Sequence, residues 1–349
     1  MHKDPKNVKE FLLNNVENHS SDIAMVTVSS FGFSKQTAHK YLSREVEEGN
    51  IVKIGKNRAT RYFLAGGKHI NFSIKIKDRL TEEDIIWREY IKPMTKEFPE
   101  NIVKILNYSF TEIFNNVIDH SSGDVVNVDY HIEDNKINIR IADNGVGIFS
   151  KIQKALKLNS ERESILHLSK GKFTTDPANH SGEGIFFTSR SLDCFSIYSE
   201  DMFYIFDRES GWFLSSEKPE DFGNGTSIKM IISLNSTTLL TDVFDKYTDS
   251  DIGFNKTIVA VALSTDLGDP HVSRSQAKRL LLGLDKFKSV ILDFKGVQSV
   301  GQAFVDEVFR VFTNEYPDIK LTHLNANKDV VKMIERGLKI KADREKQGS

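Results

Sequence analysis

The ten residues from Ile139 to Ile148, IRIADNGVGI, constrain the fold of this chain more than any other stretch. Apolar and polar residues alternate up to Ala142, as in a half-buried strand, and the acid Asp143 follows where that strand ends. Gly145 and Gly147 then let the backbone turn and leave room for a flat group to lie against it. Ordinary turns also have the pattern Asp-x-Gly-x-Gly, so its meaning depends on the segments that accompany it.

Two other segments carry residue types that a nucleotide site requires. Upstream, Glu112, Asn116 and His120 lie four residues apart in a predicted helix, so they share one face of it. Downstream, Gly182 and Gly184 begin a predicted helix, and the free N–H groups at a helix start favour anions. Side chains of Glu and Asn beside a glycine turn are typical of sites that hold Mg²⁺ and a water near a phosphate. The alternative interpretation of Glu112 and Asn116 is a solvated helix face.

In this order, the three segments resemble the N-box, G1 box and G2 box of the GHKL (Bergerat-fold) ATPases. The resemblance covers the middle part of the chain, residues 69–240, and implies an α/β sandwich with a mixed sheet that binds ATP and Mg²⁺. Asp143 would accept a hydrogen bond from the adenine amine, with the base close to Gly145 and Gly147. Asn116 would bind Mg²⁺, and Glu112 would be the catalytic general base.

The same resemblance implies how the phosphates are bound. The N–H groups at Gly182 and Gly184 would hold them, and Lys170 and Lys172 would reach them from a long polar lid, residues 148–181. Both lysines are equally well explained as solvated side chains. Where the family often has a third glycine, Phe186 or a neighbour stands, which predicts a tighter phosphate loop.

Two further details extend the resemblance. Thr226 follows Gly225 before the last predicted strand of this region and resembles the closing motif of the family, whose hydroxyl holds a water against adenine. A plain turn explains this pair just as well. Asp119 precedes His120 where histidine kinases often have Lys, which resembles the gyrase and Hsp90 branch and argues against phosphotransfer to histidine.

The first 68 residues predict helix, helix, turn, helix and then a hairpin with a basic tip. This order resembles a winged helix-turn-helix domain. The segment has eleven Lys and Arg against seven Asp and Glu, a net charge of +4, whereas the whole chain has −2. A DNA-facing patch requires such a segregation of charge. The alternative is a dimerisation or protein-binding module. The residues expected to contact DNA are Lys35, Gln36, Thr37, His39 and Lys40 on the third helix and Lys56 and Arg58 at the hairpin tip.

Strands and helices alternate over residues 250–349, which predicts a compact α/β domain. The run from Leu292 to Val297, followed by a helix, resembles the STAS-like (DUF4325-type) domains that are found fused to such ATPases. In STAS antagonists of anti-sigma factors a serine at the start of that helix is phosphorylated. Here Gln302 and Ala303 occupy that place and Ser299 lies too early, so we expect a docking or dimerisation module.

Composition limits the remaining possibilities. A single cysteine, Cys194, excludes an internal disulfide framework and a thiolate-rich metal site, and we expect a buried structural thiol. The chain has no signal peptide and no apolar run of about 18 residues, so a cytoplasmic protein without a membrane partner is expected.

The sequence therefore predicts a multi-domain α/β protein: a winged helix over 1–68, a GHKL domain over 69–240 and a STAS-like domain over 250–349. The predicted function is an ATP- and DNA-binding regulator in which Mg-ATP controls the winged helix. Its expected partners are duplex DNA, a protein bound through the STAS-like domain, and a second copy of the chain. The alternatives are an anti-sigma-type serine/threonine kinase and a GHKL ATPase of a stress or defence complex.

Overall fold

The computed structural model describes residues 4–55, 60–76, 82–173, 182–215, 224–249, 253–264 and 271–347. The protein is mixed α/β, with 47% helix, 25% strand and several sheets. The helices are α1 (Pro5–Asn15), α2 (Ile23–Phe31), α3 (Lys35–Glu47), α4 (Glu83–Ile86), α5 (Glu100–His120), α6 (Ile148–Leu156), α7 (Glu163–Lys170), α8 (Gly184–Ser191), α9 (Leu240–Tyr247), α10 (Arg274–Leu281), α11 (Gln302–Asp306), α12 (Thr313–Glu315) and α13 (Lys328–Gln347).

The strands are β1 (Ile51–Ile54), β2 (Arg61–Leu64), β3 (His69–Lys75), β4 (Val125–Glu133), β5 (Lys136–Asp143), β6 (Cys194–Ser199), β7 (Met202–Asp207), β8 (Gly211–Ser215), β9 (Thr226–Ser233), β10 (Lys256–Ala260), β11 (His271–Val272), β12 (Ser289–Asp293), β13 (Ser299–Val300) and β14 (Lys320–Leu324). The chain packs as two units. Unit 1 is Met1–Asn144 with Lys229–Thr237, and unit 2 is Gly145–Ile228 with Thr238–Ser349.

Unit 1 begins with three helices and an antiparallel hairpin, β1 with β2, as the sequence predicts. The helices enclose an apolar core because their hydrophobic residues recur at helical spacing. The core residues are Val8, Leu12, Val16, Ile23, Phe31, Leu42, Ile51 and Tyr62. Gly32 ends α2 in the left-handed conformation, and the Ser34 hydroxyl accepts a hydrogen bond from the Thr37 N–H at 3.1 Å. A cap of this kind stabilises a helix by about 1 kcal/mol.

The rest of unit 1 is a sheet with one long helix. β3, β4, β5 and the Lys229–Ser233 part of β9 are neighbours in this order, and the pairs β3–β4 and β4–β5 are antiparallel. Helix α5 packs on this sheet with a face of large apolar residues. Pro99 is the N-cap of α5, one position earlier than the sequence predicts. The segment before it is helical from Glu83, with a π turn over Trp87–Ile91 and a 3-10 turn over Lys92–Thr95.

Unit 2 contains the antiparallel strands β6, β7 and β8 and the helices α6, α7 and α8. The sequence predicts a long polar lid over residues 148–181, and in the structure residues 148–156 and 163–170 of this segment are the helices α6 and α7. Phe149 and Ile152 bury one face of α6, and every residue from Ser164 to Lys170 of α7 is buried. Closure of this segment over phosphates stays a prediction.

The C-terminal part of unit 2 alternates strand and helix as expected. β10, β12 and β14 form a parallel sheet in that order, and β11 pairs with β13, also in parallel. A π turn, Glu307–Phe312, joins α11 to α12. Asn327 begins α13: its side-chain oxygen accepts hydrogen bonds from the backbone of Asp329 and Val330. Among the described residues, every helix is too short or too polar to cross a membrane.

Candidate functional site

In unit 1, Glu112 and Asn116 lie on the same face of α5, one turn apart, and both side chains are half-buried. Ile113 and Val117, on the neighbouring positions, are buried and pack the helix onto the sheet. The two polar side chains thus stand at the margin of the apolar face, where they keep access to solvent. A carboxylate and a carboxamide in this setting have the oxygen ligands that Mg²⁺ prefers.

Asp143 is the last residue of β5, a strand against which α5 packs, and its side chain is only 6% exposed. The next residue holds the end of this strand in place. The Asn144 side-chain oxygen accepts hydrogen bonds from the Asp124 N–H at 3.0 Å and the Val125 N–H at 3.1 Å. Unit 1 therefore presents a buried carboxylate at a fixed strand end.

In unit 2, the structure brings together two segments that the sequence predicts as parts of one site. Gly147 has φ of +76°, and the Ile148 N–H donates a hydrogen bond to the Thr226 hydroxyl at 2.9 Å. The Ser199 hydroxyl donates to the Gly225 carbonyl at 2.9 Å. The glycine turn and the Gly-Thr pair are thus connected through the end of β6. The Thr226 hydroxyl thus caps the first turn of α6. Its predicted contact with a water against adenine stays a prediction.

Two side chains lie close against Gly147. A Cβ atom at this position would lie 2.8 Å from the Ser199 hydroxyl oxygen and 2.8 Å from Glu200 Oε1. The positive φ therefore favours a glycine, and a side chain here would have to displace the Ser199 and Glu200 side chains. Close approach of a base to Gly145 and Gly147 stays a prediction.

Glu200 lies beside Gly147, and no sequence motif marks it. Burial and a hydrogen bond shared with Glu161 raise the pKa of Glu200 to about 7, so this carboxyl group gains a proton near neutral pH. Glu200 lies in the turn after β6 and has φ of +58°. The sequence does not indicate this position, because only folding brings the turn after β6 next to Gly147.

The glycine-opened helix α8 begins as predicted. Gly182 has φ of +73°, and a Cβ atom there would lie 2.4 Å from the backbone carbonyl carbon of Phe173. Gly184 is the first residue of α8 and is half-buried. Phe186 is fully buried, and its ring centroid lies 4.5 Å from that of Phe254 and 3.5 Å from the Arg190 guanidinium. Aromatic packing therefore fixes the helix that follows the glycines.

Lys170 and Lys172 bind protein carbonyl groups in the structure. Lys170 is 2% exposed, and its ammonium group donates to the carbonyls of Arg279 at 3.1 Å and Leu282 at 2.9 Å. The Lys172 ammonium donates to the Lys286 carbonyl at 2.9 Å. Burial lowers the pKa of Lys170 to about 7 and also lowers that of Lys172. Contact between these lysines and a phosphate stays a prediction.

The residues predicted to contact DNA on α3 are accessible. Lys35, Gln36, His39 and Lys40 are exposed and Thr37 is half-buried. No acid occurs between Lys35 and Arg44, whereas Glu48 at the end of the helix forms ion pairs with Lys9 and Arg44. Positive charge is therefore concentrated on the first half of α3. Lys56 and Arg58 lie outside the described residues.

Two further predictions concern the start of α11, where STAS antagonists have a phosphorylated serine, and the single cysteine. Gln302 and Ala303 are exposed at the start of α11, so the acceptor position of STAS antagonists is accessible and has no hydroxyl group. Cys194 is half-buried, not buried as expected, because it is the first residue of β6. Within the described ranges, no group of three or more His, Cys, Asp or Glu side chains has a geometry that could hold a metal ion.

Comparison with known families supports one part of the sequence interpretation. Residues 276–331 match the family described as a STAS-like domain of unknown function (DUF4325). The match begins within α10 and ends within α13, so it covers the C-terminal α/β region of unit 2. A comparison with curated proteins found no similar protein.

Proposed function

We propose that this protein is an ATP-binding, DNA-binding regulator in which Mg-ATP, bound in a GHKL-like domain, controls a winged-helix head. One observation carries the proposal. A helix face with Glu112 and Asn116 packs on a strand that ends in the buried carboxylate of Asp143, and the glycine turn follows directly in the sequence. This is the set of groups that adenine, Mg²⁺ and a phosphate require.

Asp143 is suited to select adenine. A carboxylate that is 6% exposed and ends a fixed strand is a strong acceptor for the exocyclic amine of adenine. Guanine has a carbonyl oxygen at that position, so a buried carboxylate would face a second acceptor without a proton between them. We expect rejection of GTP because an unpaired buried polar group costs about 1–3 kcal/mol.

Asn116 and Glu112 are assigned to the metal and the water. Mg²⁺ prefers oxygen ligands and usually keeps several waters and phosphate oxygens, so one carboxamide is a sufficient protein contribution. Glu112, one helical turn earlier, would polarise the attacking water. The N–H groups at the start of α8 would receive the phosphates, supported by the positive end of the helix dipole.

The winged-helix head is supported by the exposed basic face of α3. Its lysines at positions 35 and 40 and the polar residues between them can reach a major groove, because the apolar face of the helix is fixed in the core by Ala38 and Leu42. For ATP to act as a switch, it must bind two states of the protein with different affinity.

The nucleotide part is tested by thermal unfolding of the full chain with ATP, ADP or GTP and Mg²⁺. Selective stabilisation by adenine nucleotides supports it, and stabilisation rises with the ratio of ligand concentration to Kd. Asn116→Ala is expected to weaken Mg-dependent binding, and Glu112→Ala to abolish hydrolysis while binding is kept. Asn115→Ala, a half-buried neighbour on α5, is the matched control. Wild-type behaviour of Asn116→Ala in both assays would remove the assignment.

The regulatory part is tested by measuring DNA affinity with and without Mg-ATP at several salt concentrations. A dependence of affinity on nucleotide supports the switch, and equal affinities exclude it. Labelled ATP in the same experiment distinguishes hydrolysis from protein phosphorylation, because only a kinase leaves label on protein.

A further inference from the structure

Unit 2 contains a buried cation to which the proposed nucleotide chemistry assigns no necessary role. Lys170 is the last residue of α7, and its ammonium group donates to the carbonyls of Arg279 and Leu282. These carbonyls belong to the last turn of α10, where helical carbonyls lack partners within the helix and carry partial negative charge. Lys170 thus caps a helix of the STAS-like region from outside that region.

Other residues near Lys170 also connect α7 and the residues after it to the C-terminal part of unit 2. The Thr257 hydroxyl, on β10, donates to the Lys170 carbonyl at 2.8 Å. Glu163, at the start of α7, forms an ion pair with Arg279 at 3.2 Å, and the two side chains are 11% and 28% exposed. Lys172 donates to the Lys286 carbonyl, and its ammonium lies 4.8 Å from the centroid of the Phe287 ring. The whole of α7 is therefore attached to the STAS-like region.

The contacts continue from Lys170 to the glycines. Gly171 has φ of +79° and is wedged so closely that a Cβ atom would lie 2.6 Å from the Phe254 ring and 2.9 Å from the Phe186 ring. Two residues later the backbone of Phe173 lies directly against Gly182, with its carbonyl oxygen 2.4 Å from the place of a Cβ atom. Gly182 precedes the first turn of α8, so the positions of these two segments depend on each other.

We propose that Lys170 is a positioning residue through which the STAS-like domain fixes the start of α8. Its bonds to the end of α10 hold Gly171 and Phe173, and Phe173 holds Gly182. The expected effect on nucleotide binding rests on the proposed function, since the start of α8 is the proposed phosphate site. The anchoring of α8 itself rests on the packing of unit 2 alone.

The chemistry of the contact favours positioning over simple packing. An apolar side chain would fill this space at lower cost, because a buried ammonium loses its hydration. An ammonium with two acceptors in fixed places sets both the position and the direction of the chain that carries it. The other charged groups that face it are His167, whose pKa is lowered to about 3 by burial and by Lys170 and Lys286, and the Glu163–Arg279 pair.

The test uses the full chain with Lys170→Met, which keeps the length of the side chain and removes the ammonium. Lys332→Met, at an exposed lysine of α13, is the matched control. Hydrogen exchange is measured for the amides of residues 171–173 and 182–187. We expect exchange about tenfold faster in Lys170→Met and unchanged in the control, because loss of the anchor increases local opening.

Nucleotide binding is measured in parallel for ATP and adenosine. We expect the Kd for ATP to rise about tenfold and the Kd for adenosine to stay unchanged, because only the phosphates would contact the start of α8. A purely structural loss would weaken both ligands equally. Should Lys170→Met fail to fold, Lys170→Gln removes the charge and keeps a polar donor at this position, and the same changes of about threefold are expected.

The outcomes separate the anchoring of α8, the positioning of the phosphate site and the proposed function. Unchanged exchange in folded Lys170→Met overturns the anchoring. Faster exchange with equal losses for ATP and adenosine overturns the positioning of the phosphate site. If the wild type binds neither ligand, the proposed function fails, while faster exchange in the variant still supports the anchoring.

Discussion

Helices α3 and α7 both carry lysines that the sequence marks as ligand contacts, yet the fold uses them in opposite ways. In α3, Lys35 and Lys40 are exposed, and the apolar residues on the other face form the core. In α7, every residue from Ser164 to Lys170 is buried, including a histidine and a lysine. An exposed lysine remains available for an external anion, whereas the buried one is already bound to carbonyl oxygens of the protein.

The difference shows that residue type and spacing do not determine what a cation binds. Helix α3 is covered on one side only, so its periodicity predicts which residues are exposed. Helix α7 is surrounded on all sides, so its polar positions must find partners inside the fold or lose hydration without compensation. Lys170 finds them at the end of a helix more than a hundred residues away in sequence, at Arg279 and Leu282.

The largest effect is expected from the glycines that end a helix in each region. Gly171→Ala forces a side chain into a conformation typical of glycine and into the rings of Phe254 and Phe186. Gly32→Ala, at the end of α2, meets nothing within 4 Å. We expect losses in the free energy of unfolding of about 3 kcal/mol and about 1 kcal/mol, respectively. Denaturant unfolding measures both, and equal losses would contradict the wedged position of Gly171.

The next effect concerns pH. The pKa of Lys170 is about 7 in the folded protein and 10.5 ordinarily, so the unfolded chain binds more protons between these values. The free energy of unfolding should therefore rise with pH from about 7 to about 10.5, by on the order of a few kcal/mol.

Lys170→Met should lack this rise. Urea unfolding at about pH 6.5 and about pH 9.5 measures it as the difference between variant and wild type. Lys40→Met, at the exposed lysine of α3, should follow the wild type. If the free energy of unfolding of Lys170→Met rises with pH as much as that of the wild type, another group causes the rise.

A smaller effect is expected for DNA binding by the exposed lysines of α3. Lys35→Ala and Lys40→Ala should each lower DNA affinity by about 1 kcal/mol and reduce the slope of log K against log salt by about 1. The fold should stay intact, because both side chains are exposed. Lys332→Ala serves as the control for the loss of one positive charge. Binding that is indifferent to all three substitutions would exclude α3 as the DNA-contacting helix.

The smallest effect is expected at a carboxyl group. Glu200 has a raised pKa of about 7, so the stability it contributes is present below about pH 4.5 and is lost as the pH rises through about 7. Glu200→Gln should therefore unfold at a higher temperature than the wild type at pH 8 and at the same temperature at pH 5. Glu47→Gln, at an exposed position of α3, should differ from the wild type at neither pH. Differential scanning calorimetry measures both differences.

Much of the fold follows from sequence patterns. The helices and hairpin before residue 65, the strands on either side of Asn135 and the alternation after residue 255 agree with the predicted elements within a few residues. In each case one face is buried and the other is solvated, so the hydrophobic period is visible. The helices over 148–156 and 163–170 are not among the predicted elements, because helices buried on several sides lose that period.

The sequence by itself determined which residues belong to the candidate site, because Glu112, Asn116, Asp143 and the glycines are local signals of helix face, strand end and turn. Only the tertiary structure decided what holds them. In unit 1, Asn144 holds the strand end at Asp143, and in unit 2 Ser199 and Glu200 lie against Gly147 and Lys170 is bound to α10; no motif marks these contacts. The physical reason is that capping and turn chemistry act within a few residues, whereas burial and hydrogen bonding of a charge depend on segments that only folding brings together.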